Sequence, residues 1–215
     1  MSPMTPVSGS LVRFTPNPTV VDTAEASGDY SEVLTTMDTL HWLMLSPSSG
    51  SESASSGTFE WTANRSDADA NARAFYRSSE GIDIRNGRVY FVTKGSKSLY
   101  ILDLDAGTYV RSSTQSGAFD GQPDQVARIL AEDESNDMLD FCEEAGDDEG
   151  GTIRVCFTFI VRSHLCLTMH MKIPVQARDA NGNFYTIFEG TGYNSETSGL
   201  AFSPDNRHMY VSYQG

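Results

Sequence analysis

The sequence predicts an all-β fold, a partial β-propeller of repeated antiparallel hairpins grouped into four-stranded blades, behind a disordered N-terminal segment. Three observations predict it. Ser79 to Val92 reads as a hairpin: Ile82 and Ile84 alternate with polar residues, Asn86-Gly87 is a tight-turn pair, and Val89 to Val92 is a β-branched and aromatic run. The pattern returns twice. Leu200 to Phe202 and Arg207 to Val211 flank a turn at Ser203-Pro204-Asp205-Asn206, and Val126 to Leu130 and Met138 to Cys142 flank a polar turn. Each copy sets an acid just before its first strand: Glu80, Asp124 and Glu196.

The remaining elements follow in chain order. Residues 1–57 are poorly patterned apart from the short run Leu40 to Leu45, and read as a low-complexity, disordered segment. Ser46 to Gly57 is nearly all Ser, Gly and Glu, a composition that buries no core and reads as a linker. The propeller domain is expected over 58–215, opening on the alternating strand Thr58 to Thr62. Asp67 to Arg73, polar and Ala-rich, fits a loop or a helical turn. A second hairpin runs through Ser98 to Asp103 and Gly107 to Val110, turned by Asp105-Ala106-Gly107. Two linked hairpins make a four-stranded sheet, and such sheets repeated at this interval are propeller blades. Asn183 to Phe188 is expected as a strand after the Asn181-Gly182 turn.

Val155 to Gln176 breaks the style of the chain. These 22 residues hold no Asp or Glu, whereas the whole chain has 29. The stretch reads as an insert, a translated intron: Val155-Cys156 is encodable as a splice donor and Gln176 as an acceptor. The alternative is a buried strand pair, which its apolar runs would suit. His164 and His170 lie inside it and are given no role.

Composition narrows the function classes. With 215 residues the chain has room for one sizeable core or two small ones. A net charge of -14 argues against nucleic acid or an anionic membrane as partner, since both would repel it. It suits cations, although acidic totals are usually solvated surface. Three cysteines, Cys142, Cys156 and Cys166, form neither a disulfide framework nor a zinc spacing. Met1 to Pro18 lacks the pattern of a signal peptide, and no apolar run is long enough for a membrane span. Asn64-Arg65-Ser66 is a glycosylation sequon of a kind that often arises by chance.

The acids carry the chemical expectation. In a propeller the innermost strand of each blade lines a central channel, so equivalent positions on successive blades converge. Carboxylates gathered there repel, and a hard cation such as calcium, with six to eight oxygen ligands, resolves the repulsion. The plainer alternative is that each acid caps a turn. Glu143 follows an inner strand and is placed to join them. Cys142 reads first as a small buried hydrophobe and second, as thiolate, as an iron ligand. Asp147-Asp148-Glu149 lacks the spacing of a calcium loop. Arg178 offers a planar fork for phosphate, against a surface pair with Asp179.

Read in order, Ser79-Glu80-Gly81, Asp120-Gly121-Gln122-Pro123-Asp124-Gln125, Phe141-Cys142-Glu143, Arg178-Asp179 with Asn181-Gly182, and Ser195-Glu196 with Phe202-Ser203-Pro204-Asp205 resemble the C-terminal half of PhoX-like alkaline phosphatases. The resemblance covers Thr58 to Gln214 apart from the insert, and this family is a β-propeller family. It implies a channel site with calcium and iron that hydrolyses phosphate monoesters. It implies Glu80, Glu143 and Glu196 as metal ligands, with Asp124 and Arg178 at matching motif positions, Asp124 near the metal and Arg178 on the phosphoryl group. The family's reactive cysteine belongs to its N-terminal half, so Cys142 does not inherit that role. The family is typically exported. A truncated or degenerate phosphatase is therefore the expectation. The alternatives are a non-catalytic calcium-binding or interaction module and a sugar-lactonase-type hydrolase.

Overall fold

A computed structural model describes residues 10–114, 122–129, 138–144, 172–179, 181–191, 197–205 and 207–213. It is mostly antiparallel β structure. The elements in order are β1 (Val12–Pro16), α1 (Pro18–Ser27), β2 (Met37–Pro47), β3 (Ser56–Thr62), α2 (Arg65–Phe75), β4 (Ser79–Arg85), β5 (Arg88–Thr93), β6 (Ser98–Asp103), β7 (Thr108–Ser113), β8 (Gln122–Ile129), β9 (Met138–Glu144), β10 (Lys172–Arg178), β11 (Phe184–Thr191), β12 (Thr197–Phe202) and β13 (Met209–Tyr213). Three sheets result: β1-β2-β3-β7-β6-β5-β4, β11-β10-β9-β8, and the pair β12-β13. By internal contacts the chain divides into two compact units, one drawn from Met1–Ser79 and Leu102–Arg111, the other from Glu80–Ile101 and Ser112–Gly215.

Over residues 10–57 the first unit shows strands and a helix where a disordered segment was expected. Local signals set α1: Asn17 caps it by accepting from the Thr19 amide, Pro18 opens it, and Gly28 closes it in the left-handed conformation. Strand β2 is paired on both sides, Val12 with Trp42 and Leu43 with Trp61. Its Leu43 and Leu45 are buried. The expected linker Ser46 to Gly57 is a hairpin connection. Ser46 pairs with Thr58 and Pro47 with Gly57 through backbone alone, which needs no apolar side chains. The ordered structure thus begins well before Thr58.

The Ala-rich stretch after β3 is a full helix. Asn64 caps α2, accepting from Ser66 and Asp67 amides while its own amide donates to Asp67 Oδ2 at 2.7 Å. The sequon asparagine is thus engaged in capping. Ala68 and Ala72 are buried. Helix and strand are tied at two points. Asn71 donates to Leu45 O at 2.9 Å and accepts from Leu45 N at 2.8 Å, and Tyr76 donates to Leu43 O at 2.6 Å. Burial pushes the Tyr76 phenol pKa up, so it stays a neutral donor. Asn71→Ala is expected to leave a buried N–H and C=O unpartnered and to cost about 2 kcal/mol. For a chain this size that lowers the melting temperature by roughly 4–8 °C, checked by thermal unfolding followed by circular dichroism.

Among the expected hairpins, β4–β5, β8–β9 and β12–β13 form in the second unit. Asn86 and Gly87 have φ 47° and 72°, the paired positive values of a tight turn whose twist matches its flanking strands. β8 through β11 form a four-stranded meander, with Val126 opposite Phe141 and Val175 opposite Cys142. Both faces are covered. Tyr90, Val92 and Leu99 pack with Val126, Leu139 and Phe141 on one side. Leu200, Phe202, Met209 and Val211 pack with Cys142, Val175 and Ala127 on the other. A strand buried on both faces reads as a near-continuous apolar run, and the Met138–Cys142 part of β9 does so except at Asp140.

Lys172 to Gln176, the last five residues of the suspected insert, lie in β10, which is paired to β9 and β11. Of these, Val175 and Gln176 are buried. The rest of the insert, His164 and His170 included, lies outside the described residues. So does Asp147-Asp148-Glu149. No helix among the described residues is long and apolar enough to cross a membrane.

Candidate functional site

Two of the expected acids meet. Glu80 is the second residue of β4, and Asp124 lies where the β8–β9 register shifts between Pro123 and Val126. Gly81 makes the approach possible. A Cβ there would stand 2.5 Å from Val126 N and 2.6 Å from Gln125 Cα, distances no side chain tolerates against backbone. Glycine at this position therefore brings Glu80 to Asp124.

Between the acids stands a cation that sequence reading did not anticipate. Lys94 Nζ lies 2.8 Å from Asp124 Oδ1 and 3.8 Å from Glu80 Oε1. The Lys94 and Asp124 side chains are only 19% and 15% exposed, so water screens this pair less than a surface pair. Lys94 is positioned by the turn after β5. Thr93 and Ser96 hydroxyls share a 2.6 Å hydrogen bond, Ser98 donates to Ser96 O at 2.7 Å, and Lys97 N donates to Lys94 O. A lysine closing a strand reads as solvated. Only the β4–β8 approach reveals its role.

Beyond the pair lies a buried polar patch on β9. Cys142 and Asp140 are two apart, so they share a face of the strand. Cys142 is fully buried, and burial pushes its thiol up to about 11; a Thr197 hydrogen bond partly offsets this, while Asp124 and Asp140 add to it. It is a neutral thiol, as its reading as a small hydrophobe requires. Asp140, flanked in register by Ala127 and Ala177, is fully buried. Neither of its carboxylate oxygens has a hydrogen-bond partner among the described residues, and burial raises its pKa to about 7. Sequence reading passed over Asp140. The available signal was period two from Cys142 inside the otherwise apolar run Met138 to Cys142.

The other expected residues are placed differently. Arg178 ends β10 opposite Leu139, three positions along from the Val175–Cys142 pair, or about 10 Å of strand. It is half-buried, and burial lowers its pKa against the pull of the Asp179 charge. Asp179 accepts from the Asn181 and Asn183 amides, from Asn183 Nδ2 and from the Tyr185 hydroxyl. Glu143 pairs with Pro123 through the backbone of β9. Glu196 lies outside the described residues.

Of the four expected metal ligands, the described side chains are Glu80 and Asp124. Two carboxylates that share an ammonium leave too few oxygens for a calcium shell of six to eight. No group of three His, Cys, Asp or Glu able to hold a metal occurs among the described residues.

Comparison with family models, curated proteins and solved structures found no match.

Proposed function

We propose that the chain is part of a phosphate-monoester hydrolase of the PhoX type, with β4 to β7 and β8 to β11 as consecutive propeller blades and β12–β13 opening a third. One observation carries this reading. Glu80 and Asp124, at equivalent starts of two successive meanders, meet in space although far apart in sequence. Convergence of equivalent positions is what a propeller hub demands. Arg178 enters the reading as the phosphate-binding fork. Calcium and iron enter by resemblance alone, and no hydrolytic step runs through them at Glu80 and Asp124.

A specific observation favours a second, non-catalytic reading. The Lys94 ammonium offsets part of the acids' charge, but it cannot polarise a phosphoryl oxygen as a metal does or lower the pKa of a bound water. In this reading the chain keeps the hub of a phosphatase and serves as an interaction module.

Aryl phosphate hydrolysis by the purified protein separates the two, with calcium and iron measured on the same sample. The phosphatase reading expects turnover that falls at least tenfold in Arg178→Ala. A protein that holds neither ion and turns over nothing leaves the module.

A further inference from the structure

We propose that the β12–β13 hairpin is a releasable cover: when the Asp140 carboxyl loses its proton, the hairpin lifts off β8 and β9 and lets water reach it, while the meander beneath stays folded. Among the described residues β12 and β13 pair only with each other, so no strand ladder ties them to the meander. Their attachment is side-chain packing. Leu200 opposite Val211 and Phe202 opposite Met209 form one face of the hairpin, and that face lies on Cys142, Val175 and Ala127. A lone two-stranded hairpin is marginal in water and depends on such packing. The meander, by contrast, is laced by backbone pairing from β8 through to β11. Asp140 sits under the cover. It shares the face of Cys142, and its register partner Ala127 touches the hairpin.

Nothing around the carboxyl compensates a charge. β8 offers it Ala127 and β10 offers Ala177, its own strand offers the neutral Cys142 thiol, and the hairpin offers four apolar side chains. Asp124 of β8 bears on Cys142 and is held by Lys94. Arg178, next to Ala177, belongs to the opposite face of β10. Tyr210 pairs with Ala201 on the outer face of the hairpin, and Asp205, Arg207 and His208 are exposed at its turn. Burial alone therefore acts on the Asp140 proton. An unpaired carboxylate is costly to keep dry, so it either holds that proton or gains water. Release hydrates it by breaking one apolar contact and no ladder. Between about 3.8 and about 7 the released form sheds the proton while the covered form keeps it. Release thus becomes up to about tenfold more frequent per pH unit, and gains nothing further above that range.

Amide hydrogen exchange of the full chain, read by mass spectrometry at pH 5, 6 and 7 with and without dilute urea, separates release from global unfolding. In the wild type the β12–β13 amides are expected to exchange through an opening more frequent than that of β5, and less sensitive to urea because it exposes less surface. The ratio of that opening to the one in Asp140→Asn is expected to rise with pH, by up to about tenfold per unit. β12–β13 amides that match β5 in frequency and urea sensitivity would overturn the proposal, since the hairpin would then leave only with the whole fold. A ratio constant with pH would overturn it too, since release would then not hydrate Asp140. Should Asp140→Asn not fold, the wild type alone decides. With the intrinsic pH dependence of exchange divided out, a urea-insensitive β12–β13 opening that rises from pH 5 to 7 supports the proposal, and a flat one refutes it.

Discussion

Raising the pH from about 4 to about 7 is expected to lower the stability of the protein progressively, and Asp140→Asn is expected to remove most of that loss. The cause is a carboxyl group with no exposure and no partner among the described residues. In the unfolded chain it ionises near 3.8, whereas in the fold burial holds the proton until about 7. Below the lower value both states are protonated and the contribution is fully present. Between the two values the unfolded chain sheds its proton while the fold keeps one, so each step up in pH favours unfolding. Above the upper value both are ionised and the loss is complete. Three units correspond to about 4 kcal/mol at most. Asp29, Asp69, Asp179 and Asp205 have lowered pKa values and act in the opposite sense at lower pH, so above about pH 5 they no longer oppose Asp140.

Two variants separate the titration from the polarity. Asp140→Asn keeps an unpartnered polar group but cannot ionise, so its stability is expected to run flat across the window. Asp140→Leu removes both costs and packs against Ala127, Ala177 and the β12–β13 face, so it is expected to exceed the wild type at pH 8 by several degrees. Urea unfolding at a series of pH values reads all three. Parallel slopes for wild type and Asp140→Asn would mean that Asp140 is solvated or paired in solution.

The hairpins were legible because turn chemistry is local. Asn86-Gly87 demands positive φ at both positions, and Asn181-Gly182 follows an aspartate that gathers the turn's amides. Those signals survive whatever the strands pack against. Residues 10–57 were misread for the complementary reason. Their strands are held by pairing, and a Ser- and Gly-rich run pairs by backbone as well as any other. The site divides in the same way. Glu80 and Asp124 were legible as equivalent positions of a repeated pattern. Lys94 was not, since it ends a strand where lysine is ordinarily solvated. Asp140 was not, since its face of β9 is set by cover from β12–β13, about 60 residues downstream.

Gly81→Ala is expected to cost roughly 3 kcal/mol, at the upper end of overpacking effects. Its Cβ would meet Val126 N at 2.5 Å and Gln125 Cα at 2.6 Å. Both are backbone atoms, so no rotamer change relieves the clash. The Gln125 side-chain oxygen at 2.7 Å can swing away, but that frees only one of the three contacts. β4 must therefore lift off β8, and the movement parts Glu80 from the Lys94–Asp124 pair. The loss then has two components, strain in the strand contact and a weakened ion triad, and a double-mutant cycle separates them. In the Lys94→Met background the triad is already gone, so Gly81→Ala should cost less there than in the wild type, by about 0.5–1.5 kcal/mol of coupling. Denaturant unfolding of the four proteins measures it. Full additivity would show that Gly81 serves only packing, whereas coupling of that sign would show that the glycine is what keeps the acids on one cation.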